Sequence, residues 1–344
     1  MSKMELKDFA SRPPLTHLKR LTTPRGLVQH ADLEVPDPAF GYSLDDNARA
    51  LIVCLWHYQL FADRAILNLF EIYWRYLQRA RNQSGSFHNF LSFSESILDA
   101  EGTEDSIGRA IWALGTILGS HPDLAVGGQA ERIITETNLS KHTEHPHVRA
   151  KALILCGLMA AKDRSVATWA DQLITAYEHS KSANWPWFED NLRYANGILP
   201  YALATSYLLT KNRRYLDVAR VSFDWLNTVS RIGGQPAPIG QNGWYYQGGE
   251  KALYDQQPLE AADMVLAASA LFEATDSRPY LDLALEWMSW YGGHNSQGTA
   301  VFNAATGGVY DALTPTGVNK NQGAESIVTY LMAYLALTKL ALRQ

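Results

Sequence analysis

The chain has 344 residues, of which 47% are hydrophobic and 19% charged, with a net charge of -5. Its pI is near 6.1 and its mean hydropathy is -0.19. These values fit a folded chain with ample core and exclude disorder. They also leave no basic face for nucleic acid, so no nucleic-acid partner is expected. Cys54 and Cys156 sit inside apolar runs as small hydrophobes, and two cysteines build no disulfide framework. The start, Met1-Ser2-Lys3-Met4-Glu5-Leu6-Lys7, has no apolar h-region, and no apolar run reaches the length of a membrane span. A cytoplasmic location is the resulting expectation. Ten Trp and 17 Tyr against 11 Phe favour rings with a polar edge, as in a wet, aromatic-lined cavity.

From the N-terminus onward, the apolar spacing reads as helix. The segment from Pro14 to His30 is interrupted by Pro24 and Gly26. Residues 46–60 are hydrophobic nearly all round, which predicts an enclosed helix. Residues 63–81 carry Ile66, Leu69, Phe70, Tyr73 and Leu77 on one stripe, which predicts an outer one. The alternation recurs along the chain. Enclosed helices are predicted at 105–119, 147–162, 194–210, 257–274 and 323–342, and amphipathic followers at about 126–139, 166–180, 213–229 and 277–291. In the follower 213–229, Tyr215, Val218, Ala219, Phe223 and Leu226 oppose Arg213, Arg214, Asp217 and Arg220. The pattern predicts an all-α fold, an (α/α)6 barrel of helical hairpins over residues 1–344. Residues 1–40 close the ring and supply the missing outer helix. Short hairpins are expected in Gly243–Gln247 and Thr299–Tyr310. The long connections (82–104, 181–193, 230–256 and 292–322) all precede an enclosed helix, so the site belongs at that end.

Each enclosed helix opens with a polar cluster. The clusters are Ser43-Leu44-Asp45-Asp46, Thr103-Glu104-Asp105-Ser106, His145-Pro146-His147, Trp187-Phe188-Glu189-Asp190, Tyr254-Asp255-Gln256-Gln257 and Asn321-Gln322-Gly323-Ala324-Glu325. Capping explains any one of them, because Ser, Thr, Asp and Asn satisfy free N–H groups and acids suit the helix dipole. In a closed ring, however, all six starts converge on one bowl. A bowl rich in carboxylates and aromatic rims suits a ligand dense in hydroxyls. The candidate catalytic acids are Asp46, Asp105, Asp190, Asp255 and Glu325. Asp255 is the expected general acid beside Tyr254 and Pro258, and Glu325 the expected base. Candidate binding residues are Tyr42, Asp45, Trp187, Trp244, Tyr254, Gln257, Glu260, Asp311 and Asn321. Arg49 and Arg109 each follow their acids by one turn and are expected to pair with them. No metal or cofactor is expected. Cys54 and Cys156 lie far from the helix starts, and Asp45-Asp46-Asn47-Ala48-Arg49 puts a cation where a magnesium-binding pattern wants an acid.

Two stretches read together, Leu21-Thr22-Thr23-Pro24-Arg25-Gly26-Leu27-Val28-Gln29-His30-Ala31 and Gly41-Tyr42-Ser43-Leu44-Asp45-Asp46-Asn47-Ala48-Arg49, carry a family resemblance. With Glu104-Asp105, Trp185-Pro186-Trp187-Phe188-Glu189-Asp190, Tyr254 through Glu260 and Tyr310-Asp311, the chain resembles a bacterial family of six-hairpin glycosidase-like domains. These domains occur alone or attached to group-1 glycosyltransferases. Thr23-Pro24 departs from the Asp-rich turn usual there. The resemblance implies the barrel, an oligosaccharide or glycoside as partner and a functional link to a glycosyltransferase; it transfers no catalytic residue. Three activities fit. The first is glycoside hydrolysis or phosphorolysis by two carboxylates. The second is sugar epimerisation or isomerisation using His145, His147, His88 or His294. The third is non-catalytic oligosaccharide binding.

Overall fold

The computed structural model describes residues 4–121, 123–139 and 147–343. Among these, the α-helices in chain order are α1 (Thr16–Leu21), α2 (Leu44–Phe61), α3 (Leu67–Arg79), α4 (Glu104–Ser120), α5 (Leu124–Glu136) and α6 (Val148–Ala161). They continue with α7 (Val166–Ser180), α8 (Ile198–Thr210), α9 (Arg213–Val229), α10 (Pro258–Thr275), α11 (Arg278–Ser289) and α12 (Ala324–Ala341). The even-numbered helices pack in the order α2–α4–α6–α8–α10–α12, and α12 returns to α2. The ring is closed. Odd-numbered helices lie outside it, each against its preceding inner helix, and α1 packs on α12.

The division follows from where apolar residues fall. Every residue of α10 from Pro258 to Leu271 is buried. On α9 the buried stripe is Tyr215, Val218, Ala219, Phe223 and Leu226, while Arg213, Arg214, Asp217 and Arg220 face solvent, as the spacing predicts. In the N-terminal segment the α-helix runs only from Thr16 to Leu21. The chain then turns at Pro24-Arg25 into a strand pair, Thr22–Thr23 with Gly26–Leu27. Inner helix α8 starts at Ile198 rather than 194, because Ala195 adopts a left-handed φ of 50°. The closest inner contact is α4 on α6. A Cβ at Gly115 would overlap the Gly157 backbone, so both positions require glycine.

Inner helices hand over to outer ones through the same device four times. Ala62, Lys162, Lys211 and Asp276 are left-handed C-caps, with φ of 51°, 56°, 58° and 54°. These turns are tight, so one end of the barrel is plain. The returning connections are long and carry short antiparallel strand pairs. Tyr42–Ser43 pairs with Phe90–Leu91, and Phe302–Asn303 pairs with Gly308–Val309 inside the expected hairpin. The other expected hairpin does not form. Trp244 takes a left-handed φ of 58°, and Tyr245–Tyr246 pairs instead with Asn191–Leu192 of the loop before α8. Cys54 and Cys156 are buried and unbridged. No helix among the described residues is long and apolar enough to cross a membrane.

Candidate functional site

The site begins at the first turn of α2. Ser43 caps the helix by accepting from the Asp46 N–H at 3.1 Å, and its hydroxyl donates to Asp46 Oδ2 at 2.5 Å. Asp46 thereby points inward. One nitrogen of Arg49, Nη2, donates to Asp46 Oδ1 at 2.9 Å and across the ring seam to Glu325 Oε2 at 3.0 Å. With arms of 2.9 and 3.0 Å, those two carboxylate oxygens are no more than about 5.9 Å apart. Arg49 and Asp46 have only 4% and 5% of their side chains exposed, whereas Glu325 keeps 41%. Burial raises the Asp46 carboxyl above its ordinary range, against the opposing pull of Arg49.

Arg109 does not pair with Asp105 one turn before it. Its guanidinium crosses to α2 and donates to Asp45 Oδ1 at 3.0 Å. Asp105 instead accepts the Tyr194 hydroxyl at 2.6 Å. Arg149 of α6 binds Glu189, Asn196 Oδ1 and the Tyr194 carbonyl, all in the loop before α8. Glu260 of α10 then accepts from the backbone N–H groups of Ala195 and Asn196 and from Asn196 Nδ2. Carboxylates and arginines thus tie the starts of α12, α2, α4, α6, α8 and α10 to one another. Charge-assisted bonds of this kind fix side-chain geometry more strongly than neutral ones.

Within this belt lies a cavity of about 210 Å³ lined by His30, Asp45, Asp46, Arg49, Gln257, Asp311 and Glu325, among others. Asp311 Oδ1 accepts from the Gly323 N–H and the Ser326 hydroxyl, both at 2.7 Å, while Oδ2 takes no hydrogen bond among the described residues. Burial raises the Asp311 carboxyl, partly offset by those two donors and by nearby His30. The half-buried His30 ring stands edge-on to Phe40 at 4.6 Å. Below the cavity, residues of all six inner helices enclose a narrower space containing Arg49, Arg109 and Asp263. Asp263 is buried with Oδ2 unpartnered, and desolvation, reinforced by Glu260, pushes its carboxyl well up.

Of the residues expected from sequence, Asp45, Asp46, Gln257, Asp311 and Glu325 meet in this cavity. Asp105 lies outside the cavity lining, bonded to Tyr194, whose ring lies 6.3 Å from that of Trp244. Asp190 is held by Asn191 in the strand pair with Tyr245–Tyr246. Asp255 and Tyr254 are half-buried in the loop before α10, outside the cavity lining. Three expected binders serve the core instead. Tyr42 is fully buried, stacked on Phe93, with its hydroxyl on Thr23 at 2.9 Å. Trp187 is fully buried against Phe188 and Trp225, so neither ring offers a free face. Glu260 is used up as the backbone anchor described above. Asn321 Oδ1 accepts from the Leu33 N–H, pinning the N-terminal segment. His147 and His294 are exposed, His88 is bonded to the Asp99 carbonyl, and His145 lies outside the described residues. The histidine that does line the cavity is His30.

No protein-family model matches the chain, and no curated protein matches it in sequence. Solved structures do match. The cellobiose 2-epimerase of Bacillus thermoamylovorans aligns with a TM-score of 0.78 at 11% identity over 98% of both chains. A D-mannose isomerase aligns at 0.77 and 15% identity over 97% of both. The likeness establishes an (α/α)6 barrel. An α-1,6-mannanase of Salegentibacter aligns at 0.66 and 13% identity, covering 98% of this chain and all of that one. That mannanase is an inactive variant, with two consecutive Asp changed to Asn, in complex with α-1,6-mannotriose. Barrels of this architecture therefore include both glycosidic-bond hydrolases and sugar epimerases or isomerases.

Proposed function

We propose that the chain is a carbohydrate-active enzyme that cleaves a glycosidic bond in the cavity at the starts of α2 and α12. The observation that carries this is a pair of cavity carboxyls in opposite surroundings. Asp311 is half-buried, raised by desolvation, and has one oxygen that takes no donor among the described residues. Glu325 is the open one, held by Arg49. Asp311 donates its proton to the leaving glycosidic oxygen, and Glu325 takes a proton from the water that attacks the anomeric carbon, so the charges balance. The acid role expected for Asp255 passes to Asp311 because Asp255 does not line the cavity. Asp46 and Arg49 position Glu325, and Asp45, Gln257 and His30 offer hydrogen bonds to hydroxyls. The substrate is a short oligosaccharide or glycoside, handled alongside the glycosyltransferase that such domains accompany.

The mannotriose complex of one neighbour makes α-mannosides the first substrates to test. Reducing-end release should fall by roughly 10²–10⁴-fold in Glu325→Gln and in Asp311→Asn. Turnover that survives both changes ends the proposal. A second reading has two observations in its favour: His30 lies beside Asp311 in the same cavity, and the two neighbours with the highest TM-scores quoted above are an epimerase and an isomerase. Under that reading the imidazole abstracts a carbon-bound proton next to a carbonyl. The product then takes up solvent deuterium in D2O, and His30→Ala abolishes activity that Glu325→Gln spares.

A further inference from the structure

A second cavity lies at the other end of the barrel. It measures about 640 Å³ and is lined from all six inner helices, mostly by their later turns. Nothing in the proposed hydrolysis uses it. We propose that it is a second ligand site, which binds a small aromatic acid: a flat apolar body with an anionic head and one hydrogen-bonding group.

Its volume falls within the roughly 300–1,000 Å³ of small-molecule pockets. Its walls match the ring of such a ligand. Trp112 stands 6.3 Å from Trp56 and 5.8 Å from Tyr201, ring centre to ring centre, and Leu266 and Met159 complete an apolar floor. Aromatic rings prefer edge-to-face or offset contacts at such spacings, so a flat guest finds partners on three sides. Most polar groups in the wall are already satisfied. The Thr116 and Thr205 hydroxyls turn back onto their own helices at 2.8 and 3.0 Å. Ser269 is the exception. It is 4% exposed, lines the cavity, and its hydroxyl has no partner. A buried hydroxyl left unpaired is unfavourable, and a ligand donor or acceptor that reaches it removes that penalty.

The rim supplies the charge. One turn beyond Ser269, Glu273 accepts from Lys339 Nζ at 2.9 Å and from Arg343. Two cations share one carboxylate, leaving one formal positive charge at the opening, the counter-ion an anionic head needs against the negative ends of the six inner helices. The site is separate from the mouth, yet Trp112 and Leu266 line both this cavity and the narrow space around Asp263. The inference stands whether or not the mouth hydrolyses glycosides.

The test uses 8-anilinonaphthalene-1-sulfonate, an aromatic anion with one N–H, titrated into the full chain by fluorescence. Saturable binding of one probe per chain, displaced by 1-naphthoate, is expected. Thr205→Trp, which fills the opening, should weaken binding at least tenfold while leaving the melting temperature of the chain and any turnover at the mouth unchanged. Ser269→Ala, which removes the unpaired hydroxyl without adding volume, should weaken it roughly threefold. Lys339→Gln with Arg343→Gln should weaken 1-naphthoate roughly fivefold and leave neutral 1-naphthalenemethanol unchanged. Glu325→Gln should bind the probe like the parent. No saturable binding, binding indifferent to both Thr205→Trp and Ser269→Ala, or a dimer in solution that seals this end would each overturn the proposal.

Discussion

Replacing Arg49 by Met removes the cation shared by Asp46 and Glu325 while keeping an apolar stem of similar reach. Asp46 then stays buried with only Ser43 as partner, because its other oxygen has lost the Arg49 donor. Breaking a buried pair by removing one member costs about 3–5 kcal/mol. Here the lower end applies, because Arg49 Nε and Nη1 are themselves buried without partners, and their removal offsets part of the loss. Unfolding entropy of about 2.1 cal/mol/K per residue gives roughly 0.7 kcal/mol/K for 344 residues, so the melting temperature should drop by about 4–5 °C near pH 7.5. The loss should also depend on pH. The Asp46 carboxyl is already raised in the parent, and an acid raised in the fold loses stability as pH rises from its unfolded value through its folded one. Without Arg49 that window extends upward, so the deficit shrinks as the pH falls toward 5. Adding Asp46→Asn removes the stranded charge and should restore most of the lost stability, since removing both partners is nearly neutral. Calorimetric melts of parent, single and double variants at pH 5 and pH 7.5 decide the matter. An equal deficit at both pH values, or a double variant no better than Arg49→Met, refutes the buried-pair account.

Three further outcomes follow from the same reasoning. Gly115→Ala should destabilise by more than about 2 kcal/mol in a thermal melt, although alanine is intrinsically better in a helix by about 1 kcal/mol, because the added methyl meets Gly157 backbone. Burial pushes the Glu260 carboxyl up to about 7, so its ionisation costs the parent about 3 kcal/mol between pH 4.5 and 7. Melts of Glu260→Gln should therefore gain about 4–5 °C relative to the parent across that range, and a flat difference rejects the assignment. Tyr194→Phe releases Asp105 from its hydroxyl donor and should raise KM with little change in kcat, as checked by steady-state kinetics on the substrate found.

The barrel was legible because inner and outer helices obey different rules of composition. Runs such as 257–274 are apolar on every face, and only an enclosed position satisfies them. Helix ends within the elaborated loops were less legible: the left-handed residue Ala195 moves a boundary by four positions, and only Asn196-Gly197, just before the helix, marks the turn in the sequence. The candidate site was readable to the extent that it lies in first turns. Asp45 and Asp46 follow the Ser43 cap, Glu325 opens α12 after Gly323, and the three meet in one cavity. Asp263 was missed because it sits in the second turn of an otherwise apolar helix, where one acid interrupts no pattern. His30 was missed as a site residue because it lies in the N-terminal segment, which the periodicity assigned to closing the ring. Trp187 and Tyr42 misled for a physical reason: a Trp or Tyr beside an acid has the same sequence appearance whether its face meets a ligand or the core.

Capping and side-chain pairing are divided between neighbouring residues at the helix starts. Ser43 and Thr103 do the capping, each accepting from the N–H three residues on. That leaves Asp45, Asp46 and Asp105 free of backbone duty, and each reaches sideways to an arginine or a tyrosine from another part of the chain or another turn. A carboxylate used as a cap is bound to its own helix and cannot meet a substrate. One relieved of that duty, in the positive field of six converging helix starts, is held near other carboxylates at a lower electrostatic cost. At the plain end the helix dipoles have the reverse polarity, and the one acid in the cavity lining, Glu273, is taken up by Lys339 and Arg343, so the same ring presents an ionic pocket at one end and a largely apolar, aromatic one at the other.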